Sequence, residues 1–325
     1  MKTHLGRRTF LRTAVQGVAG TVLGSVAIQA ATGQNQKSSI AKIIDTHTHF
    51  YDPLRAQGVP WPPKDDKLLY RQVLPKDYKA LPKPLPVTGT VVVEASSWVE
   101  DNQWVLDLAK NDPFILGFVG NLPVGTDEFR RHLKRFAADR LFRGIRVGGG
   151  QLKAGLVQPR FLADLRELAE LDLELDLLGD TGMLFDVDKL AREIPTLRLM
   201  IDHVANLKID GKEPPVEWLR GMETAARHQN VFCKVSGLVE GSGRSDGTAP
   251  RQVEFYQPVL DVVWKLFGED RLVYGSNWPA SERFAECATV QRIVSEYFET
   301  KGRPVLEKFF WKNAQAVYKV SFRRT

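Results

Sequence analysis

Ile43-Ile44-Asp45-Thr46-His47-Thr48-His49 is a short apolar run that turns polar at its far end. Alternation along a strand puts Asp45, His47 and His49 on one face, so the run reads as a strand whose end brings two imidazoles together. Seven more runs of this kind follow: Thr90 to Ala95, Phe114 to Gly120, Phe142 to Val147, Leu173 to Leu178, Leu197 to Asp202, Val231 to Val235 and Leu272 to Gly275. Between them, 101–110, 127–139, 158–171, 187–193, 215–227 and 253–267 carry apolar residues at three and four spacing, the pattern of crossover helices. Leu306 to Tyr318 supplies a terminal helix. Eight strands alternating with helices predict an α/β fold, a single-domain (β/α)8 TIM barrel over residues 42–320.

Composition agrees with that size of core. Of the 325 residues 43% are hydrophobic and 26% charged, which excludes disordered and collagen-like classes. The formal charge of +6 is less basic than it looks, because Lys2, Arg7, Arg8 and Arg12 lie in an amino-terminal stretch without acids. Taking those four charges from +6 leaves +2 for the remainder, with no stripe of Lys and Arg interleaved with aromatics, so no nucleic-acid partner is expected. Cys233 and Cys287 are too few for a disulfide framework and are expected as free thiols.

Residues 1–31 read as a cleavable leader. Gly6-Arg7-Arg8-Thr9-Phe10-Leu11-Arg12 precedes a weakly apolar run, Ala14 to Ala31, and resembles a twin-arginine export signal. Gln16, Thr21, Ser25 and Gln29 interrupt the run, so stable membrane insertion is not expected, and the resemblance implies a periplasmic protein. An amphipathic helix or retained signal anchor is the alternative.

Two connections are long. Tyr51 to Val87 holds eight prolines and Trp61, and Gly237 to Pro250 is rich in glycine and serine. Both follow carboxyl ends of strands, where barrel enzymes place their sites, so both read as substrate-covering loops. The other reading of the first is a proline-stiffened surface insertion.

His203 ends the sixth run, Leu199-Met200-Ile201-Asp202-His203, so three of the six histidines stand at strand ends. Neutral imidazoles at such positions suit a divalent metal, and core histidines satisfied by hydrogen bonds are the bland alternative. Arg146 and Lys234 also end strands and should face inward, which would put two fixed positive charges beside the histidines. An internal ion pair with Glu94 or Asp176 is the competing reading.

The ordered motifs Ile44-Asp45-Thr46-His47-Thr48-His49, Phe142-Arg143-Gly144-Ile145-Arg146, Ile201-Asp202-His203, Lys234-Val235-Ser236-Gly237-Leu238 and Tyr274-Gly275-Ser276-Asn277-Trp278-Pro279 resemble the amidohydrolase superfamily. Within it they are similar to the branch of metal-dependent hydrolases that includes sugar-acid and pyrone-dicarboxylate lactonases. The resemblance spans roughly Ile43 to Tyr318. It implies a hydrolase that opens a lactone by attack of activated water on the carbonyl. It further implies a divalent ion, zinc first, on His47, His49 and His203, although a metal-free version with histidines as hydrogen-bond donors is also admitted.

One position departs from the pattern. The family's eighth-strand motif reads Gly-Ser-Asp-Trp-Pro, with the aspartate as general base, and here Asn277 stands in its place. An amide can orient water but cannot take its proton. The replacement base is expected at Glu94 or at His203, with Arg146, Lys234 and Trp278 as substrate-binding residues for a small anionic lactone or sugar acid. A decarboxylase on the same barrel, and a non-catalytic sugar-acid-binding barrel, are the alternatives. The oligomeric state is left open.

Overall fold

The structure, a computed structural model, describes residues 40–323. The leader expected over 1–31 lies outside the described residues. Eight parallel strands form one sheet in sequential order: β1 (Ile44–Thr48), β2 (Gly89–Val93), β3 (Ile115–Gly120), β4 (Phe142–Gly148), β5 (Glu174–Leu178), β6 (Arg198–Ile201), β7 (Val231–Val235) and β8 (Leu272–Tyr274). The sheet curls into a nearly closed barrel. A parallel bridge links Thr48 of β1 to Trp278, just past the end of β8, with His49 N donating to Trp278 O at 2.8 Å. Every run read as a strand becomes one, with ends shifted by a few residues, because apolar, β-branched segments bounded by polar turns have one stable place in a doubly covered parallel sheet.

The helices pack on the outside through the faces their periodicity predicts. Pro159–Glu170 starts with proline at its first turn and turns Phe161, Leu165 and Leu168 inward, each buried at 2% exposure or less. Burying such a side chain contributes roughly 1.5–3 kcal/mol, and this shell between strands and helices is the main core. A second, smaller cluster fills the barrel floor: Ile44, Val91, Leu116, Met200 and Val273 meet Val317, Tyr318 and Val320 of the carboxyl-terminal segment. That segment runs from Arg303 through a π-helical turn, Lys308–Lys312, to Tyr318. The helix Cys287–Glu299, which follows β8, was not anticipated, although Val290, Ile293, Val294 and Phe298 carry the helical spacing.

The first long connection is a fastened layer over one side of the barrel mouth. Tyr51 and Val73 pair as an antiparallel bridge. Arg55 grips both carboxylate oxygens of Asp101 at 2.9 and 3.1 Å, Arg71 meets Glu282 at 2.6 Å, and Arg283 meets Asp66. Cys233 and Cys287 are buried free thiols, as expected. Among the described residues no helix is long and apolar enough to cross a membrane.

Candidate active site

β1 delivers its two histidines to the mouth as alternation requires. The His47 and His49 rings lie 4.9 Å apart, and His203 closes the trio 4.3 Å from His47. His49 Nδ1 donates to the Val93 carbonyl at 2.9 Å, and because a carbonyl only accepts, the neutral ring keeps its lone pair on Nε2. His203 is placed by an unusual device. Residues 203–206 make one left-handed turn, with φ of 54°, 46°, 58° and 44°. A β-branched residue such as Val204 resists this region, at a cost of about 1–2 kcal/mol per residue. Trp218 Nε1 holds the Val204 carbonyl at 2.9 Å. Gly237 is required alongside, since a Cβ there would stand 2.6 Å from His203 Cβ. The turn brings both His203 and Asn206 to the cavity wall.

The expected inward charges are present, but neither is free. Lys234 is fully buried beneath the histidines, with Nζ 2.7 Å from Asp176 Oδ2, 2.8 Å from Asp202 Oδ1 and 3.2 Å from His47 Nδ1. Burial opposes its charge, yet the two aspartates more than offset that and hold the ammonium above its ordinary range. It is therefore committed below the cavity wall, where the sequence expectation had placed a substrate contact. Depth, not direction, is what the strand pattern could not supply. Arg146 Nε and Nη2 both bond Glu94 Oε1, at 2.8 and 2.6 Å, while Ser96 N bonds Glu94 Oε2. Both oxygens of Glu94 are thus engaged, and its expected role as general base is not supported. Among the described residues the hydrogens on Arg146 Nη1 have no partner.

Trp278 also departs from expectation. It is 1% exposed, donates to Glu282 Oε1 at 2.5 Å and packs on Tyr78, so it braces the structure behind the cavity lining. Its neighbour Asn277, at φ 57°, does face the cavity. Asn277 Oδ1 lies 3.3 Å from His49 Nε2, and its Nδ2 donates to Glu240 Oε1 at 2.8 Å. Glu240 was missed in the sequence because it sits in a segment read as loop; the structure makes a short helix there, Leu238–Gly241. Its only signal was a carboxylate shortly past the seventh strand.

These residues line a cavity of about 460 Å³ whose wall includes His49, Trp61, Glu94, Ser96, Arg146, His203, Asn206 and Asn277. The first long connection therefore does reach the site, through Pro60 and Trp61. Burial, then the Arg146 charge, pushes His49 down to about 3, and burial, partly opposed by Asp202, lowers His203 to about 4. Both imidazoles are neutral at neutral pH. With Arg146 answered by Glu94, the cavity is polar but carries no unpaired cation among the described residues.

A divalent ion fits one donor set. Ligand atoms of His47, Asp202 and His203 lie within 4.8 Å of one another, a span an ion closes by drawing its ligands in to ~2.1 Å. Among the described residues His47 Nε2 is enclosed without a hydrogen-bond partner. So are both Asp202 oxygens, because the Lys234 contact is an ion pair without hydrogen-bond geometry. His49 does not join this set; its Nε2 turns to Asn277. Since the Lys234 ammonium can only donate to His47 Nδ1, the proton of neutral His47 sits on Nε2, and an ion must displace a proton to bind.

Residues 44–320 match the family described as Amidohydrolase. The chain is 32% identical over 244 residues to an L-fucono-1,5-lactonase of Burkholderia ambifaria, covering 73% of this chain and 80% of that one. It is 23% identical over 279 residues to an L-fucono-1,5-lactonase of Burkholderia multivorans, covering 84% and 94%. A crystal structure of an amidohydrolase from Burkholderia multivorans with bound zinc superposes with a TM-score of 0.75 at 23% identity, over 86% of this chain and all of the other.

Proposed function

The chain belongs to the amidohydrolase family and is a hydrolase, and on that premise we propose that it opens the uncharged 1,5-lactone of a sugar acid to the hydroxy acid. The observation that carries the choice of an uncharged lactone is the Arg146–Glu94 pair. A cavity whose guanidinium is already neutralised offers hydrogen bonds but no net positive field, which suits a polyol and not a carboxylated ring. The Trp61 face supplies apolar surface for the sugar's C–H side, and Ser96, Asn206 and Arg146 Nη1 supply polar partners. The comparisons do not favour the decarboxylase or the non-catalytic alternative.

In the proposed reaction water attacks the lactone carbonyl carbon. His49 Nε2, an acceptor because Nδ1 is committed to Val93, takes the water's proton. The imidazolium then passes that proton to the ring oxygen as the carbon–oxygen bond breaks, which returns His49 to its neutral form. Arg146 Nη1 donates to the carbonyl oxygen, where negative charge develops. We assign a divalent ion, zinc first, to His47, Asp202 and His203; when bound it supplies Lewis-acid polarisation near the carbonyl. Opening L-fucono-1,5-lactone in ¹⁸O-water should leave one label in the product carboxylate. No label, or release of carbon dioxide, would defeat the reading.

We also propose that residues 1–31 direct export to the periplasm by the twin-arginine route, on the support of Arg7-Arg8 and the weakly apolar run behind them. Replacing both arginines by lysine should strand the precursor in the cytoplasm. Unchanged periplasmic recovery would refute it.

A further inference from the structure

Where the resembling family carries an aspartate, this chain carries an asparagine with a carboxylate directly behind it. Asn277 Nδ2 donates to Glu240 Oε1 at 2.8 Å, which turns the other end of the amide, Oδ1, toward His49 Nε2 at 3.3 Å. Both of those atoms are acceptors, for His49 Nδ1 spends its hydrogen on Val93. Two acceptors facing each other are relieved when one molecule enters and donates to both, which their 3.3 Å separation must widen to admit. A water doing so has both hydrogens directed into the protein and its lone pair left for an electrophile in the cavity.

We propose that Glu240 is a positioning residue for the hydrolysis: its carboxylate locks the Asn277 amide with Oδ1 toward His49, so that Asn277 and His49 together aim the attacking water. The inference rests on the lactonase reading. If Glu240 is protonated, it offers a donor beside its remaining acceptor and no longer fixes the amide, and in the turned-over orientation Nδ2 caps the His49 lone pair that the water needs. The surroundings permit that protonation. Among the described residues Glu240 Oε2 is enclosed without a hydrogen-bond partner, and burial, partly opposed by the Asn277 bond, pushes the carboxyl up to about 7. The titratable and charged groups about it are Tyr256 on the helix Val253–Phe267, Arg244 in the adjoining loop, and His49 and His203 across Asn277.

The variant Glu240→Gln keeps the shape and at least one hydrogen bond to Asn277 but lets the amide take either orientation. It should lower kcat by about tenfold or more with KM within about twofold. Wild-type kcat should show an acid limb near neutral pH that Glu240→Gln removes, while Glu240→Asp restores part of both. Retention of the limb and of kcat by Glu240→Gln, with Glu240→Leu folded and equally active, would reduce Glu240 to a structural part and overturn the proposal. A second readout does not depend on the substrate. The Asn277 side-chain NH₂ signal, assigned by its loss in Asn277→Ala, should shift with pH around neutrality in wild type and not in Glu240→Gln. A pH-independent Asn277 signal overturns the inference even if lactones are opened. A titrating signal with no lactone turnover upholds the pair and rejects the lactonase reading.

Discussion

The Lys234 ammonium stands 3.2 Å from His47 Nδ1, so a buried lysine decides which nitrogen of a site histidine carries the proton. The same ammonium answers Asp176 and Asp202, and Tyr318 of the carboxyl-terminal segment donates to Asp176 Oδ1 at 2.9 Å. Site and barrel floor are thus one electrostatic unit. Glu174 belongs to it as well, its carboxyl pushed well up by burial and by neighbouring Asp176.

Removing that lysine leaves buried carboxylates without a counter-ion. Lys234→Met should cost about 3–5 kcal/mol in urea unfolding at pH 7, and the loss should shrink as pH falls and the carboxylates protonate. A cost under 1 kcal/mol, flat with pH, would show that Lys234 is not the counter-ion of a buried carboxylate.

The histidines give a stability profile of known sign. Both His49 and His203 have folded values below the unfolded value of 6.5, so the unfolded chain binds more protons as pH drops. The stability they contribute is complete above about 6.5 and is lost toward about 4, on the order of 3 kcal/mol for each by that point. Wild type should lose stability over this range, and a His49→Gln, His203→Asn double variant should show a flatter profile. Parallel profiles would contradict the neutral-imidazole assignment.

How much of this was legible in the sequence depended on what each residue's neighbours decide. Eight apolar runs sufficed for the strands, and alternation correctly brought His47 and His49 to one mouth with His203. Alternation says inward or outward but not how deep, so Lys234 was taken for a substrate contact when it lies beneath the histidines. Nor does it choose between free inward charges and the internal ion pairs that were the competing reading: the barrel makes both of those pairs, Arg146 with Glu94 and Lys234 with Asp176. Trp278 failed for another reason. β8 ends at Tyr274 and Asn277 enters the left-handed region, so strand alternation no longer applies there. Glu240 lay in a segment with no readable period.

Charge pairing at the mouth should set substrate preference. In Glu94→Gln the Arg146 guanidinium loses its counter-ion, and a carboxylated lactone gains a partner worth roughly 1.4–3 kcal/mol. KM for such a lactone should fall by about tenfold or more, while that for an uncharged sugar lactone should stay level or rise. No change in the ratio would mean that the pair does not face substrate.

Metal binding should release a proton, since the Lys234–His47 pair must give one up when an ion takes Nε2. Calorimetric zinc titration of chelator-stripped protein in two buffers of different ionisation enthalpy should report about one proton per ion, with affinity rising with pH. Zero protons and a flat pH dependence would move the ion off His47.

The most direct test of the central claim is acid release at constant pH from two lactones, L-fucono-1,5-lactone and a carboxylated ring such as a pyrone dicarboxylate. A cavity with its arginine already paired predicts a kcat/KM higher by at least about a hundredfold for the uncharged lactone. Equal values, or preference for the dicarboxylate, would contradict the account.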